Sequence, residues 1–486
     1  MKQSPWLILA TIAFGMSISV LDQSAIMLAL PNIAAEFDAN IPEVQWISIG
    51  YGLITASLLL PMGSLSDITG RKPIYIAGFL IFTIAAMFVG TSTSLIAAII
   101  FRCIQGIGGA MIQANALAIL ITIFPITKRG LVIGLFMTTV GLASVAGPIV
   151  GGLIIDQFTW KWIILGSVPL GITSIILGLL LIPNLSDAQS LQKNRSKFDW
   201  IGSGLFAASL GLFLFSVGNG QELGWFTPLI MFGILTSSLL ALCFIIWQSK
   251  HPNPLVPIFL LKRKNFTLGS AACFFAFLSG SSVFFTIPFF AQGVLGYGAR
   301  ASGLMMGPMA GLFAISGPIA GNLSDKLSER TIEFIGLCLI GGSLFSLSFT
   351  QADIDPSLLM LQVALLGAGL GCFYAPNSSS VLSSVEKERY GVGTAFLNLI
   401  RNSSSIIGVA LCTAIISYAM GTMGLEANLN SIIDSGENMV QSNNDIALAF
   451  TRGFTLSLRI LTVLVIAAII FTFIKGKNQD RFSLEP

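Results

Sequence analysis

Histidine is almost missing from this chain: His251 is the single one among 486 residues. It lies in a polar connector beside Pro252, where a solvated loop residue is expected rather than a proton relay. Charge is scarce too, at 10% Asp, Glu, Lys and Arg against 54% hydrophobic residues, which excludes a soluble globule with a charged surface. The net charge of +3 is small and scattered. No basic face is interleaved with stacking aromatics, so nucleic acid is not an expected partner. The cysteines, Cys103, Cys243, Cys273, Cys338, Cys372 and Cys412, fall in apolar stretches without the paired spacing of a metal or redox site. They are expected as reduced packing residues, and no metal is expected. The sequence also lacks a Gly-x-x-x-x-Gly-Lys-Ser/Thr loop and any hydrolytic constellation, which argues against an ATP-driven pump and against an enzyme.

What remains is a series of long apolar runs, each near the roughly 20 residues that cross a bilayer. Hydropathy and breaker residues give six spans first: Trp6–Leu30, Val44–Leu65, Pro73–Val89, Leu95–Phe124, Gly130–Ile155 and Trp162–Ile182. A polar linker, Pro183–Phe198, leads to Ile201–Val217 and Trp225–Trp247. After a second connector, Lys250–Asn265, six more follow: Phe266–Gln292, Ala301–Leu323, Ile332–Phe349, Leu358–Val385, Val392–Met423 and Phe454–Ile474. The expected domains are a six-helix bundle over 1–185, two additional helices over 199–248 and a second six-helix bundle over 265–476. An external loop over 424–450 precedes the last helix. The first apolar run reaches Leu30 without a small-residue cleavage site and reads as a span rather than a removed signal.

With the N-terminus inside, Lys161, Arg300 and Arg452 are the basic residues expected outside. Arg102, Arg401 and Arg459 fall within spans, and the rest of the 25 Lys and Arg are cytoplasmic. The positive-inside rule thus predicts a multi-pass protein of the cell (cytoplasmic or inner) membrane with both termini in the cytoplasm. A duplication is also legible. Gly63-Ser-Leu-Ser-Asp67-Ile-Thr-Gly70-Arg71-Lys72 recurs as Gly321-Asn-Leu-Ser-Asp325-Lys-Leu-Ser-Glu-Arg330, while Gly106, Gly108 and Ala110 match Gly367, Gly369 and Gly371. Two halves in the same orientation form a parallel repeat, which places a substrate path at their interface.

Asp22 is the one carboxylate far from the ends of a span, and a charge there costs roughly 2.5–3.5 kcal/mol on insertion scales. It is expected to face a watery cavity, to pair, or to carry a proton; the plainer alternative is an Asp that ties two helices together. Arg102 enters span four at similar depth, and Gln105, Gly106, Gly109 and Gln113 share its face. At that depth Arg102 and Asp22 could approach each other across the first half, and their direct pairing is a hypothesis that the sequence leaves open; displacement of that cation by substrate or proton would shift the balance, and helix bracing is the alternative role for Arg102. The second half has Gly280 and Val363 at the equivalent positions, so the chemistry is asymmetric. Asn398, Arg401, Asn402 and Ser405 form another polar stripe, with Asn398 and Arg401 as candidates for lining a cavity. Span five carries Gly141, Gly147, Pro148, Gly151 and Gly152, a close-packing or sliding surface. In the loop after span two, Gly63 and Gly70 permit a sharp turn and Asp67 can cap a helix N-terminus. Arg71 fixes orientation, and the twin Asp325 suggests a paired latch.

These motifs resemble the major facilitator superfamily over essentially the whole chain. Gly63–Lys72 looks like its loop-2–3 signature, with Ile68 where a basic residue is common. Arg102-Cys-Ile-Gln-Gly106 resembles the span-four motif tied to proton transfer, and Gly141–Gly152 resembles the antiporter motif of span five. Leu21-Asp22-Gln-Ser24 through Ala29-Leu30-Pro31, with Trp160-Lys-Trp162 and Asp199-Trp200-Ile-Gly202, is similar to the fourteen-helix drug:proton antiporter branch. The resemblance implies an all-α integral membrane fold of two six-helix bundles plus two inserted helices. It also implies proton-coupled export of lipophilic, monocationic or neutral compounds by alternating access. By that pattern Asp22 carries protonation and cation recognition, Arg102 tunes it, and Asp67 with Arg71 forms an interdomain latch. Met27 stands where an Asn is usual, and span ten has no carboxylate, which argues against divalent cations. Protons are the expected coupling ion, with no cofactor; the partners are a small lipophilic substrate and membrane lipid, and the protein is expected to be a monomer. Export of a metabolite, siderophore or lipid, and facilitation without obligatory proton coupling, stay open; a receptor or scaffold ranks last.

Overall fold

The computed structural model of the protein describes residues 4–39, 41–183, 198–251, 254–255, 258–297, 299–386, 389–423 and 442–475, and no strand occurs among the described residues. Helices satisfy the backbone donors and acceptors of their interior turns within the segment, which the hydrocarbon layer demands. They are α1 (Pro5–Phe37), α2 (Ile41–Thr69), α3 (Arg71–Gly90), α4 (Leu95–Ile123), α5 (Arg129–Gln157), α6 (Lys161–Leu165), α7 (Ser167–Leu181), α8 (Trp200–Leu223) and α9 (Pro228–Lys250). There follow α10 (Ile258–Lys262), α11 (Lys264–Gly293), α12 (Ala299–Met305), α13 (Gly307–Lys326), α14 (Glu329–Leu347), α15 (Pro356–Ser383), α16 (Tyr390–Thr422) and α17 (Ser442–Ile474). Among the described residues 13 stretches are long and apolar enough to cross a membrane, and α5 contributes a shorter apolar stretch, Arg129–Ser144. The chain is an all-α, multi-pass membrane protein.

Several expected boundaries move. The sixth span is two helices, α6 and α7, divided at Gly166, because Pro169 has no N–H to offer the Leu165 carbonyl. The tenth divides in the same way at Met306, ahead of Pro308. α1 continues beyond Leu30 to Phe37 and stops at Asp38 in the left-handed region, φ 49°; the extra turns bury Ile33 in a cluster with Val44, Ile47, Trp160 and Ile163. α17 begins at Ser442 rather than Phe454, so the C-terminal part of the expected external loop is helix. Ala449 and Phe450 bury there, and the Phe450 ring stacks 6.5 Å from that of Phe290 on α11. The rest of that loop, 424–441, and the linker at 184–197 lie outside the described residues.

The chain forms two compact units. The first comprises Met1–Phe215, Gly233–Leu261 and Leu382–Leu399; the second comprises Ser216–Phe232, Lys262–Val381 and Ile400–Pro486. α16 thus gives its first turns to one unit and its remainder to the other. Within the first unit α3 packs on α4, α1 on α5, and α2 on α4; within the second, α17 packs on α11 and α14. Outward side chains such as Ile96, Leu153 and Leu180 are exposed, as expected where lipid tails replace water as solvent and helices associate by close packing.

Beyond the end of the first span, Glu36 on α1 joins Lys161 at 2.6 Å and accepts a hydrogen bond from the Trp160 indole. The Lys161 ammonium holds the Glu36 carboxyl below its usual range against a smaller opposing effect of burial, and the Trp160 hydrogen bond acts in the same direction as Lys161. A depressed carboxylate stabilises the fold above its unfolded pKa, and that contribution fades as pH falls through the lower folded value. Wild type is therefore expected to melt slightly above Glu36→Gln at pH 7, the two curves converging in acid below the normal carboxylate range. Because both groups are about one-third exposed, the difference is small. Melting curves for both proteins between pH 7 and pH 3 measure it, and a gap that widens in acid contradicts the sign.

Candidate functional site

The polar centre of the first unit is built on α1, α2 and α4. Asp22 and Arg102 are fully buried side chains, and Arg102 Nη1 donates to Asp22 Oδ2 at 2.6 Å. The same nitrogen donates to Gln105 Oε1 at 2.8 Å, while Gln105 Nε2 reaches Asp22 Oδ2 at 3.3 Å. Arg102 Nε donates to the Ile47 carbonyl at 3.2 Å, and the guanidinium lies 4.8 Å from the centre of the Tyr51 ring. Tyr51 in turn shares a 3.0 Å hydrogen bond with Ser19. A small-residue face on α4 makes this approach possible: a Cβ at Gly109 would stand 2.5 Å from the Tyr51 hydroxyl, and one at Gly106 would stand 2.8 Å from the Tyr51 carbonyl. Of the buried polar atoms, Asp22 Oδ1 and Arg102 Nη2 have no hydrogen-bond partner. The centre is thus a neutral ion pair with one acceptor and one donor in reserve, an arrangement that can take up a proton or a cation.

Of the expected latch residues, Gly63, Asp67 and Arg71 come together, with a partner that sequence reasoning did not identify. Asp67, near the C-terminal end of α2, accepts from the Gly391 amide through Oδ1 and from the Val392 amide through Oδ2, each at 2.9 Å. These are orphan donors of the first turn of α16, so Asp67 caps that helix from outside its own sequence neighbourhood. Arg71 donates to Asp67 Oδ1 through Nε at 3.3 Å and Nη2 at 3.1 Å. Nearby, Arg129 donates to the Tyr390 hydroxyl at 2.7 Å and lies 5.0 Å from its ring centre. The two backbones touch: a Cβ at Gly63 would be 2.6 Å from the Gly391 carbonyl oxygen, and one at Gly391 would be 2.6 Å from that of Gly63. Gly70 makes the turn with φ 101°, a value that suits glycine. Asp325 lies on α13, and its side chain falls outside the described residues.

Gln113 and Asn398 come together as well, Asn398 Nδ2 donating to the Gln113 carbonyl at 2.8 Å with both side chains buried. Arg401 belongs to the second unit and lies 6.0 Å from the Tyr374 ring centre. On α5, Gly147 packs on Ser24 and Gly151 on Ala25 of α1; Gly141 and Gly152 are half-buried on the same helix, and the side chain of Pro148 lies outside the described residues. A Cβ at Gly147 would fall 1.8 Å from Ser24 Oγ. Gly147→Val is accordingly expected to lower stability by about 1–3 kcal/mol through overpacking. Thermal melting of the purified protein measures it, and an unchanged midpoint refutes the seam.

The second unit holds charges that the sequence reading passed over. Lys475 Nζ donates to both oxygens of buried Glu333, at 2.8 and 3.0 Å, and Ser379 donates to Glu329 at 2.8 Å. Their signal was available in Glu333 itself, a carboxylate one residue inside the expected span edge at Ile332. The helix begins earlier, at Glu329, which carries Glu333 a full turn inward. The positions equivalent to Asp22 and Arg102 are apolar there: Gly280 packs on Leu370, and Val363 is buried.

A family model described as Major Facilitator Superfamily matches residues 12–409. The riboflavin transporter RibZ of Clostridioides difficile is 31% identical over 426 residues, 86% of this chain and 90% of that protein. The tetracenomycin C resistance and export protein of Streptomyces glaucescens is 28% identical over 87% of this chain and 77% of its own length. The multidrug transporter protein MdtP of Bacillus subtilis is 30% identical over 87% and 77%. Among solved structures, the proton:xylose symporter XylE superposes with a TM-score of 0.65 at 14% identity, covering 97% of this chain and 96% of that one. At that identity the likeness concerns the fold.

Proposed function

We propose that this chain, which belongs to the Major Facilitator Superfamily, is a proton-coupled exporter of lipophilic, monocationic or neutral compounds that works by alternating access. It is a carrier, not an enzyme, and it acts in the cell membrane as a monomer with both termini in the cytoplasm. Protons are its only coupling ion, and it uses no cofactor. The observation that carries this reading is the buried Asp22–Arg102 pair with its spare oxygen and nitrogen. With Asp22 ionised the pair is neutral. A proton on Asp22 leaves one positive charge in the site, a cationic substrate beside the ionised pair leaves one as well, and both together leave two. Like charges in a low-dielectric site repel strongly, so proton and cation displace one another. By linkage, that mutual exclusion lets proton entry expel substrate. A neutral lipophilic compound instead exploits the hydrogen bonds that become available when the pair opens.

The relatives named for drug resistance and multidrug transport support export, and Asp67 with Arg71 is the proposed latch that opens during the cycle. The experiment is drug accumulation in inverted membrane vesicles under an imposed pH gradient, with proton movement recorded. Uptake that collapses with the gradient is the expected result; uptake indifferent to it leaves a facilitator. A second reading, transport of a metabolite on the same scaffold, is favoured by the 31% identity to a riboflavin transporter. Riboflavin flux in the same vesicles, with no flux of lipophilic cations, selects that reading.

A further inference from the structure

A cavity of about 520 Å³ opens in the second unit where α14 ends and α15 begins, lined by no residue of the Asp22 centre or of the Asp67 cap. Both helices are membrane spans, and α14 stops at Leu347 while α15 starts at Pro356. The cavity therefore sits at the level where chains leave the hydrocarbon layer, which is the level of lipid headgroups. One wall is aromatic. Phe345 and Phe349 are largely exposed, and their rings meet edge to face at 5.0 Å. The other wall carries Asp353 and Asp355, which form no ion pair among the described residues. Asp355 uses Oδ1 to cap α15, accepting from the Ser357 amide at 2.7 Å.

Two buried polar side chains complete the lining. Gln362 is 5% exposed and donates from Nε2 to Ser346 at 2.7 Å, but its Oε1 has no partner; Thr350 is 4% exposed, and its hydroxyl has none either. The unused groups are thus the Asp353 carboxylate, the second oxygen of Asp355, an amide oxygen, a hydroxyl oxygen and the faces of two aromatic rings. Carboxylates and ring faces attract a cation, and the buried oxygens reward one that brings N–H donors. We propose that this cavity binds a primary ammonium carried on an apolar body, the chemistry shared by an ethanolamine phospholipid and a single-chain alkylamine.

The test uses the full-length protein in detergent micelles with equal amounts of phosphatidylethanolamine and phosphatidylcholine, read by native mass spectrometry. Wild type is expected to retain the ethanolamine lipid about fivefold over the choline lipid, the ratio corresponding to about 1 kcal/mol, the upper end for an exposed charge pair such as Asp353 offers. Asp353→Asn, which leaves the α15 cap in place, is expected to remove most of that preference, and Asp353→Asn with Gln362→Leu all of it. Equal retention by wild type, or a preference that survives both variants, overturns the proposal. Hexadecylammonium should displace the ethanolamine lipid and hexadecyltrimethylammonium should not; equal displacement by both also overturns it, because N–H donors are then not being read. Lipid extracted with the purified protein separates the sources. Enrichment of phosphatidylethanolamine over the bulk membrane marks a membrane lipid as the natural occupant, and tight hexadecylammonium binding without that enrichment marks a free amphiphile.

Discussion

Asp22→Asn is expected to abolish proton movement coupled to export while lowering the stability of the purified protein by about 3 kcal/mol, the lower end of what breaking a buried ion pair costs. The substitution keeps the shape and one acceptor oxygen for Arg102 Nη1, whose present bond to Asp22 is 2.6 Å. What it removes is the countercharge. Arg102 is then a buried cation without a countercharge, held by the Asn oxygen, Gln105, the Ile47 carbonyl and the Tyr51 ring. Stability and transport should separate when Arg102 is also replaced: Asp22→Asn with Arg102→Met regains much of the lost stability, since an apolar side chain of similar reach leaves no charge unpaired, yet it stays inactive. Thermal melting and vesicle transport on the two variants decide the matter. Wild-type export with wild-type proton stoichiometry in Asp22→Asn refutes the proposed coupling, whatever the melting curves show.

Asp67→Ala is expected to give the second large effect, localised to the first turn of α16. It removes the acceptor of two amides, Gly391 and Val392, at a helix N-terminus where a capping side chain is typically worth about 1–2 kcal/mol. Hydrogen exchange at those two amides should accelerate by roughly five- to thirtyfold, while exchange in α4 stays as it was. Asp67→Asn, which retains one acceptor oxygen, belongs between the two. Mass-spectrometric exchange on the peptide spanning Tyr390 reads this directly. Unchanged exchange in Asp67→Ala means that the cap contributes nothing in solution.

The contrast between these two sites explains how much of the molecule was legible beforehand. Asp22 and Arg102 announce themselves because each is a lone charge in a long apolar run, and equal depth suggested that they could approach each other. The details that shape their chemistry were silent: Tyr51 is an ordinary residue for a span, and the Ile47 contact is made by a backbone carbonyl that any residue would supply. Asp67 was visible, but its partners are two peptide N–H groups, which leave no trace in side-chain spelling. Glu333 stands in the sequence as a carboxylate beside Ile332, where it fits a span edge until the helix is seen to start a turn earlier, at Glu329. Span boundaries moved for the same reason. Proline at 169 and 308 breaks helices in a way that hydropathy alone does not register, and the burial of Ala449 and Phe450 against α11 extends a helix into what composition marks as loop.

α16 runs for 33 residues without a proline, from the turn that Asp67 grips to Thr422, a length of roughly 50 Å at the usual rise per residue. An unbroken rod of that length is a lever arm. A tilt of about 5° at the gripped end displaces the other by roughly 4 Å, enough to exchange one set of side-chain contacts for another. Two hydrogen bonds on one carboxylate therefore hold one end of a long rod, and weakening them is expected to loosen that helix well beyond the turn they cap.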